Sequence, residues 1–232
     1  MNYAIIAAGE GSRLAQEGIQ VPKPLVRLNR SPLIDRLVDL FLKNKATSIS
    51  IIVNNEMKEV QEHIKKMNLP VPLHLVIKST PGSMHSFYEL SRYLQDEKFC
   101  LTTVDTIFKE NEFAGYIEHF IQNDSIDGLM AVTSFIDDEK PLFVATGPQL
   151  DITGFLDRQD GNCQYISGGV YCLDAKALRL LNDSMAKGIT RMRDFQRQLV
   201  AAGLCLKAYP FSKIVDVDHA RDIQTAECFL QA

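Results

Sequence analysis

The stretch Tyr3-Ala-Ile-Ile-Ala-Ala-Gly-Glu-Gly-Ser-Arg-Leu14 constrains this chain more than any other. A short apolar run of strand length, Tyr3 to Ala8, breaks abruptly into Gly9-Glu10-Gly11-Ser12-Arg13. A strand that ends in two glycines one residue apart has a backbone able to turn sharply and to approach a ligand closely. Successive amide N–H groups in such a turn form an anion-binding concavity. Ser12 and Arg13 add a hydroxyl and a guanidinium fork, and a fork suits phosphate oxygens. Further on, Lys23 stands between Pro22 and Pro24, which restrict the backbone that presents its ammonium. A glycine turn, an arginine and a positioned lysine together describe a phosphate site.

Two common phosphate motifs are excluded. The dinucleotide fingerprint needs a third glycine where Leu14 stands, and no acidic residue ends a second strand at the required interval. The phosphate-loop pattern fails because no Gly-Lys-Ser/Thr follows. Composition narrows the partners. A net charge of −4 argues against nucleic acid or an anionic membrane surface. Residues 1–36 run the other way, with five basic against three acidic side chains, so the cations gather beside the loop. The N-terminus lacks a signal-peptide pattern, and no run approaches the length of a membrane span. The five cysteines have no Cys-x-x-Cys spacing and read as reduced, mostly buried thiols of a cytoplasmic protein. The scattered histidines do not suggest zinc.

Beyond the loop, strands and helices alternate. Ser31-Pro32 reads as a helix cap with proline at the first helical position, followed by apolar residues at 33, 34, 37, 38, 41 and 42. Ser48–Val53 is predicted as a strand, 56–67 as a helix, Leu73–Ile77 as a strand, 83–94 as a helix, and 99–104 as a strand ending at Asp105. This rhythm predicts an α/β chain with a parallel sheet covered on both faces, and ligands beyond the carboxyl ends of its strands. From Gly128 the pattern turns β-rich and partly antiparallel. Helices are predicted near 175–181 and 191–202, then one strand over 204–217 and a helix from about Ala220. With no linker or repeat, 1–232 is expected to be one domain.

The string Ala8-Gly-Glu-Gly-Ser-Arg-Leu14 followed by Pro22-Lys-Pro-Leu25 resembles the signature of the nucleotidyltransferase family that includes the sugar-1-phosphate nucleotidyltransferases. That resemblance implies a Rossmann-like three-layer α/β/α fold with a mostly parallel sheet, in which residues 1–127 form the nucleotide-binding half and 128–232 the β-rich acceptor-side half with the C-terminal metal ligand. It implies an NTP bound at Ala8, Gly9, Gly11 and Ser12, with Gly82 and Ser83 near the base, although Ser83 also reads as a cap of the following helix. It implies Mg²⁺ on Asp105, where Val104 replaces the family's usual glycine, and on a second carboxylate near the C-terminus. In Ile214-Val-Asp216-Val-Asp218, Asp216 is taken as that ligand and Asp218 as the cap of the last helix, though both would share one face of an extended strand. Gly169 and Arg158 are the expected acceptor contacts, with a solvated turn arginine as the alternative for Arg158.

The implied reaction is attack by an acceptor phosphate, most simply that of a sugar 1-phosphate, on the α-phosphorus of the NTP, with loss of pyrophosphate. Lys23 would join the two phosphates and Arg13 would steady the leaving group. Two alternatives stay open: a cytidylyltransferase-type enzyme acting on phosphocholine, a phosphonate or another phosphorylated acceptor, and a catalytically silent nucleotide-binding or sugar-phosphate-binding protein. A homo-oligomer also remains open.

Overall fold

The computed structural model describes residues 1–95, 98–136, 139–161 and 163–231. Strand β1 (Asn2–Ala7) leads through the glycine loop into the short helix α1 (Ser12–Gln16). Strands β2 (Arg27–Leu28) and β3 (Ser31–Pro32) form a hairpin whose turn residues Asn29 and Arg30 both take positive φ, 48° and 74°. Positive φ at both central positions is the pattern of the tight hairpin turn whose twist matches its strands. This pairing corrects the expected cap at Ser31. Ser31 and Pro32 belong to the hairpin, so helix α2 (Leu33–Lys43) starts one residue later than expected, with no side-chain cap.

The chain continues through β4 (Ser48–Val53), α3 (Lys58–Lys65), β5 (Leu73–Ile77), α4 (Ser83–Ser91), β6 (Phe99–Thr103) and β7 (Thr106–Ile107). Helix α5 (Glu110–Gln122) comes next. It is missing from the sequence expectations, although Phe113, Tyr116, Ile117 and Phe120 carry helical spacing and are buried. The second half holds β8 (Gly128–Thr133), β9 (Phe143–Thr146), β10 (Ile152–Leu156), β11 (Tyr165–Leu173), α6 (Ala175–Ala186), α7 (Met192–Ala201), β12 (Leu206–Phe211), β13 (Val215–Asp216) and α8 (Ala220–Gln231).

One nine-stranded sheet runs through both halves in the order β10-β9-β11-β6-β1-β4-β5, with β8 and β12 joined beyond β11. Strands β6, β1, β4 and β5 are mutually parallel. The antiparallel β11 meets β6 and also pairs β8 and β9. The alternation of β1 divides the interior: Tyr3, Ile5 and Ala7 face a core packed by α2, α3, α5 and α8, whereas Ala4, Ile6 and Ala8 face one packed by α4, α6 and α7. These two cores make the three layers.

The single strand expected over 204–217 is two. Strand β12 lies parallel to β8, and the chain then leaves the main sheet, where the Ser212 amide and hydroxyl both donate to the Glu112 carboxylate. Strand β13 pairs instead with β7. None of the five cysteines is in a disulfide; Cys100, Cys163 and Cys172 are buried, Cys205 and Cys228 exposed. Among the described residues no helix is long and apolar enough to cross a membrane.

Candidate active site

Three distant segments converge at the carboxyl ends of β1 and β6, as expected for a parallel sheet. Ala8 and the glycine loop leave β1, and Asp105 follows β6. The C-terminal segment docks alongside through the β7–β13 pair, in which Asp216 faces Thr106 and the Val217 amide donates to the Asp105 carbonyl at 3.1 Å. Val104 turns into the core and its amide donates to the Ile6 carbonyl. The Asp105 carboxylate is left at the mouth of the strand.

Gly11 ends the loop with φ 64° and ψ 27°, the left-handed conformation that side chains resist. A Cβ there would also lie 3.1 Å from the Lys23 Cβ. Gly9 differs: nothing approaches within 4 Å of where its Cβ would be, so the fold itself does not demand glycine and the space above it is open. Lys23 begins a short 3₁₀ turn, Lys23–Leu25, closed by the Leu25 amide on the Pro22 carbonyl. Its side chain is only 10% exposed, and Nζ donates to Asp105 Oδ2 at 2.7 Å and to Asp218 Oδ1 at 2.6 Å. Burial alone pulls the Lys23 ammonium toward a lower pKa, but the charges and hydrogen bonds of Asp105 and Asp218 outweigh it and hold the pKa above the ordinary lysine value. For Asp218, burial pushes upward, while Lys23, Arg13 and His219 hold the carboxyl below the usual range.

Asp218 is therefore not the cap of the last helix, which corrects the sequence expectation. The amides of Asp218 and His219 donate to Asp222 Oδ2, and the Ala220 amide donates to Glu17 Oε2. With those amides satisfied from elsewhere, Asp218 turns both oxygens to cations: Oδ1 to Lys23 and Oδ2 to Arg13, the latter at 2.9 Å. Glu17 also meets His219 Nδ1 at 2.6 Å, so the end of α1 and the start of α8 are latched together. Glu17 and Asp222 were not anticipated, because nothing local marks a carboxylate that caps a helix across the fold.

A cavity of about 180 Å³ is lined by Ala8, Gly9, Gly11, Lys23, Gly82, Ser83, Thr103 and Asp105, among others. Ser83 is the first residue of α4, Gly82 holds the cap position and no side chain caps the helix, so Ser83 is not a cap. Ser12 is exposed at the start of α1 and does not line this cavity. Arg13 does not line it either. Half exposed, Arg13 reaches a smaller cavity on the far side of Asp218, shared with Glu139, Gly168 and Asp216.

A larger cleft of about 710 Å³ shares Gly82, Ser83 and Thr103 with the first cavity and continues past Gly169, Tyr171 and Asp216 to α7. Gly169 sits at an irregularity in β11 with φ 74°, where a Cβ would lie 3.2 Å from Thr106 Oγ1. Arg158 is exposed in the turn after β10 and is not among the lining residues. Its neighbour Asp157 instead receives Arg193 and Arg197, each at 2.8 Å, and Arg193 does line the cleft. Arg193 carried no signal in the sequence beyond membership of an amphipathic helix.

Similarity to known proteins agrees with this geometry. The bifunctional protein GlmU of Thermodesulfovibrio yellowstonii is 26% identical over 226 residues, which is 92% of this chain and 48% of that protein. The choline-phosphate cytidylyltransferase of Streptococcus pneumoniae is 34% identical over 98 residues, 42% of this chain and 40% of that one. The chain thus spans half or less of the length of these curated relatives. The structure of the inositol-1-phosphate CTP transferase from T. maritima superposes with a TM-score of 0.81 at 20% identity, covering 99% of this chain and 96% of that one, a likeness of fold. The family described as "Nucleotidyl transferase" matches residues 3–232, and the chain belongs to that family.

Proposed function

We propose that this chain transfers a nucleotidyl group from an NTP to the phosphate of a small molecule, a sugar 1-phosphate in the simplest case, releasing pyrophosphate. The observation that carries the reading is the bridge of Lys23 between Asp105 and Asp218, beside the glycine-loop cavity that opens into the larger cleft. The NTP phosphates would lie over Gly9–Gly11, where the open space at Gly9 admits close approach, with Gly82 and Ser83 toward the base. The acceptor phosphate would lie at Thr103, Gly169 and Asp216. An acceptor oxygen forms a bond to the α-phosphorus, the bond from that phosphorus to the α,β-bridging oxygen breaks, and its electrons leave with pyrophosphate. Two anions must meet, so positioning and charge neutralisation carry the catalysis. Lys23 draws the two reacting phosphates together. Arg13, released from Asp218, steadies the departing pyrophosphate. The attacking phosphate is already ionised, and no protein nucleophile takes part.

The donor set fits Mg²⁺. Two carboxylates that share one ammonium stand close enough to share one small cation, and Mg²⁺ takes few carboxylates, completing its shell with substrate phosphates and water. When bound, it would neutralise phosphate charge. We assign Asp105 and Asp218 to it in preference to Asp216, because Asp218 joins Asp105 on Lys23 and because the cap role that had excluded it is filled by Asp222 and Glu17. Asp216 remains beside them, lining the larger cleft. We also read 1–232 as one domain, which the continuous sheet supports. The partial match to a choline-phosphate cytidylyltransferase favours, as a second reading, a phosphorylated acceptor that is not a sugar.

The test is pyrophosphate release from each of the four NTPs with Mg²⁺ and a panel of phosphorylated acceptors. Release that requires both substrates, and is lost in Asp105→Asn, is the expected result. No release with any pair would leave a binding protein.

A further inference from the structure

We propose that Gln196, on α7, reads a hydroxyl group of the acceptor, so that the larger cleft selects a hydroxylated phosphomonoester over one whose far end forms no hydrogen bond. The proposal rests on the nucleotidyl-transfer reading for taking this cleft as the acceptor's. It adds the residue that recognises the acceptor beyond its phosphate.

Helix α7 buries Phe195, Gln196 and Leu199. Phe195 and Leu199 pack into the core that α4 and α6 share. Gln196 is only 3% exposed, and it lines the cleft. An amide on the buried face of an amphipathic helix is costly unless its polar atoms are used. A glutamine amide can donate two hydrogen bonds and accept two. Here the Ser167 hydroxyl donates to Gln196 Oε1 at 3.1 Å, and among the described residues Nε2 donates to nothing. Nor is Nε2 sealed inside the core, so a partner can reach it from the cleft.

The amide is held ready for that partner. Ser167 is fixed by its own backbone N–H, which donates to the Leu142 carbonyl at 2.8 Å, and its side chain tethers the Gln196 oxygen. Tethered at one atom and carried on a helix packed into the core, Gln196 has given up its rotamer freedom before a ligand arrives. The arginines of the lining are engaged elsewhere: Arg191 pairs with Asp194 at 2.7 Å and Arg193 with Asp157 at 2.8 Å. The group that Gln196 offers is a neutral donor, and a hydroxyl oxygen accepts from it without bringing a charge into the cleft. Tyr171 is the only Phe, Tyr or Trp among the described lining residues, too few for the aromatic cage that holds a quaternary ammonium.

The test is calorimetric titration of the full chain with Mg²⁺ and each α,β-methylene nucleoside triphosphate, using probes matched in size. Glucose 1-phosphate is compared with cyclohexyl phosphate, glycerol 3-phosphate with propyl phosphate, and both pairs with phosphocholine. At least one hydroxylated probe should bind about tenfold or more tighter than its hydroxyl-free match and than phosphocholine. Gln196→Met keeps the length of the side chain without the donor. It should remove most of that advantage while changing the affinity of the hydroxyl-free probe by less than about twofold. Ser167→Ala, at a half-buried position, frees the amide and should shrink the advantage about threefold. The wild-type comparison decides even if neither variant folds. No preference for either hydroxylated probe, a preference untouched in the folded variants, or an equal weakening of every probe in Gln196→Met overturns the proposal; the last would leave Gln196 a tether between α7 and β11. Pyrophosphate release is measured in parallel. Hydroxyl-selective binding that depends on Gln196, without any release, would sink the transfer reading and keep the assignment; release whose acceptor preference survives Gln196→Met would do the reverse.

Discussion

Lys23 and Asp218 stand 195 positions apart in the chain and meet at 2.6 Å, with Asp105 on the other side of the same ammonium. Although it stands between two prolines, the lysine side chain is nearly buried and holds the N-terminal loop, the end of β6 and the C-terminal segment to one another. Its removal therefore has two separable effects. Lys23→Met should lower turnover on the order of 10²-fold, as loss of a preorganised charge donor does. It should also lower the melting temperature in EDTA, because two carboxylates are left facing each other. Millimolar Mg²⁺ should restore most of the melting temperature but not the turnover. A variant whose stability ignored Mg²⁺ would remove the carboxylate pair from consideration as a cation site.

The assignment of Asp218 over Asp216 is settled by comparing Asp218→Asn with Asp216→Asn. The first should abolish pyrophosphate release and raise the Mg²⁺ concentration needed for half-maximal activity. The second should act mainly on KM for the acceptor, since Asp216 lines the larger cleft. The opposite pattern would return the metal role to Asp216.

The two loop glycines should respond differently. Gly11→Ala forces a left-handed φ and presses on Lys23. It should cost about 1–2 kcal/mol, a drop in melting temperature of roughly 2–8 °C for a chain of this size. Gly9→Ala meets no protein atom within 4 Å, so its melting temperature should stay at the wild-type value while KM for the NTP rises. Loss of stability in Gly9→Ala would assign that glycine to the fold and not to the ligand.

A pH-dependent contribution to stability is expected at Asp127. Burial pushes this carboxyl upward, but hydrogen bonds from Lys176 and the Cys205 amide win and hold its pKa below the ordinary aspartate value. A depressed pKa gives stability that is fully present above the ordinary value, near 4, and is lost as pH falls through the lower folded value. The gap in unfolding free energy between wild type and Asp127→Asn should therefore be constant from pH 7 to about pH 5 and shrink below about pH 4. A gap that persisted unchanged at pH 2 would show that packing, not charge, accounts for it.

The features legible in the sequence are the local ones. The apolar run before Gly9, the restriction at Pro22-Lys23-Pro24 and the alternation of strands and helices each lie within a few residues, and each is present where expected. The second carboxylate was harder to read. Whether Asp216 or Asp218 reaches Lys23 depends on the chain leaving the sheet after Phe211, and that departure is fixed by Glu112, 100 positions away from Ser212. The capping of α8 by Glu17 is equally remote from the helix it caps. Arg193 illustrates the same limit, because a cleft formed between α7, β11 and the loop before α4 leaves no pattern in any of the three.

The pairing of β11 with β6 bears on how this molecule can move. A hinge needs a segment crossed by few contacts, and here the two halves are joined by a backbone ladder from Val170 opposite Thr102 to Leu173 opposite Phe99. Bending at that seam would break the ladder, along with the bonds from the Tyr116 hydroxyl to the carbonyls of Leu129 and Val170. Closure around substrates must therefore come from the rim, the segment around Glu10–Gly18 and the turn before α4, while the sheet stays rigid. Saturation with both substrates should leave the radius of gyration in solution scattering unchanged and confine new amide-exchange protection to those loops.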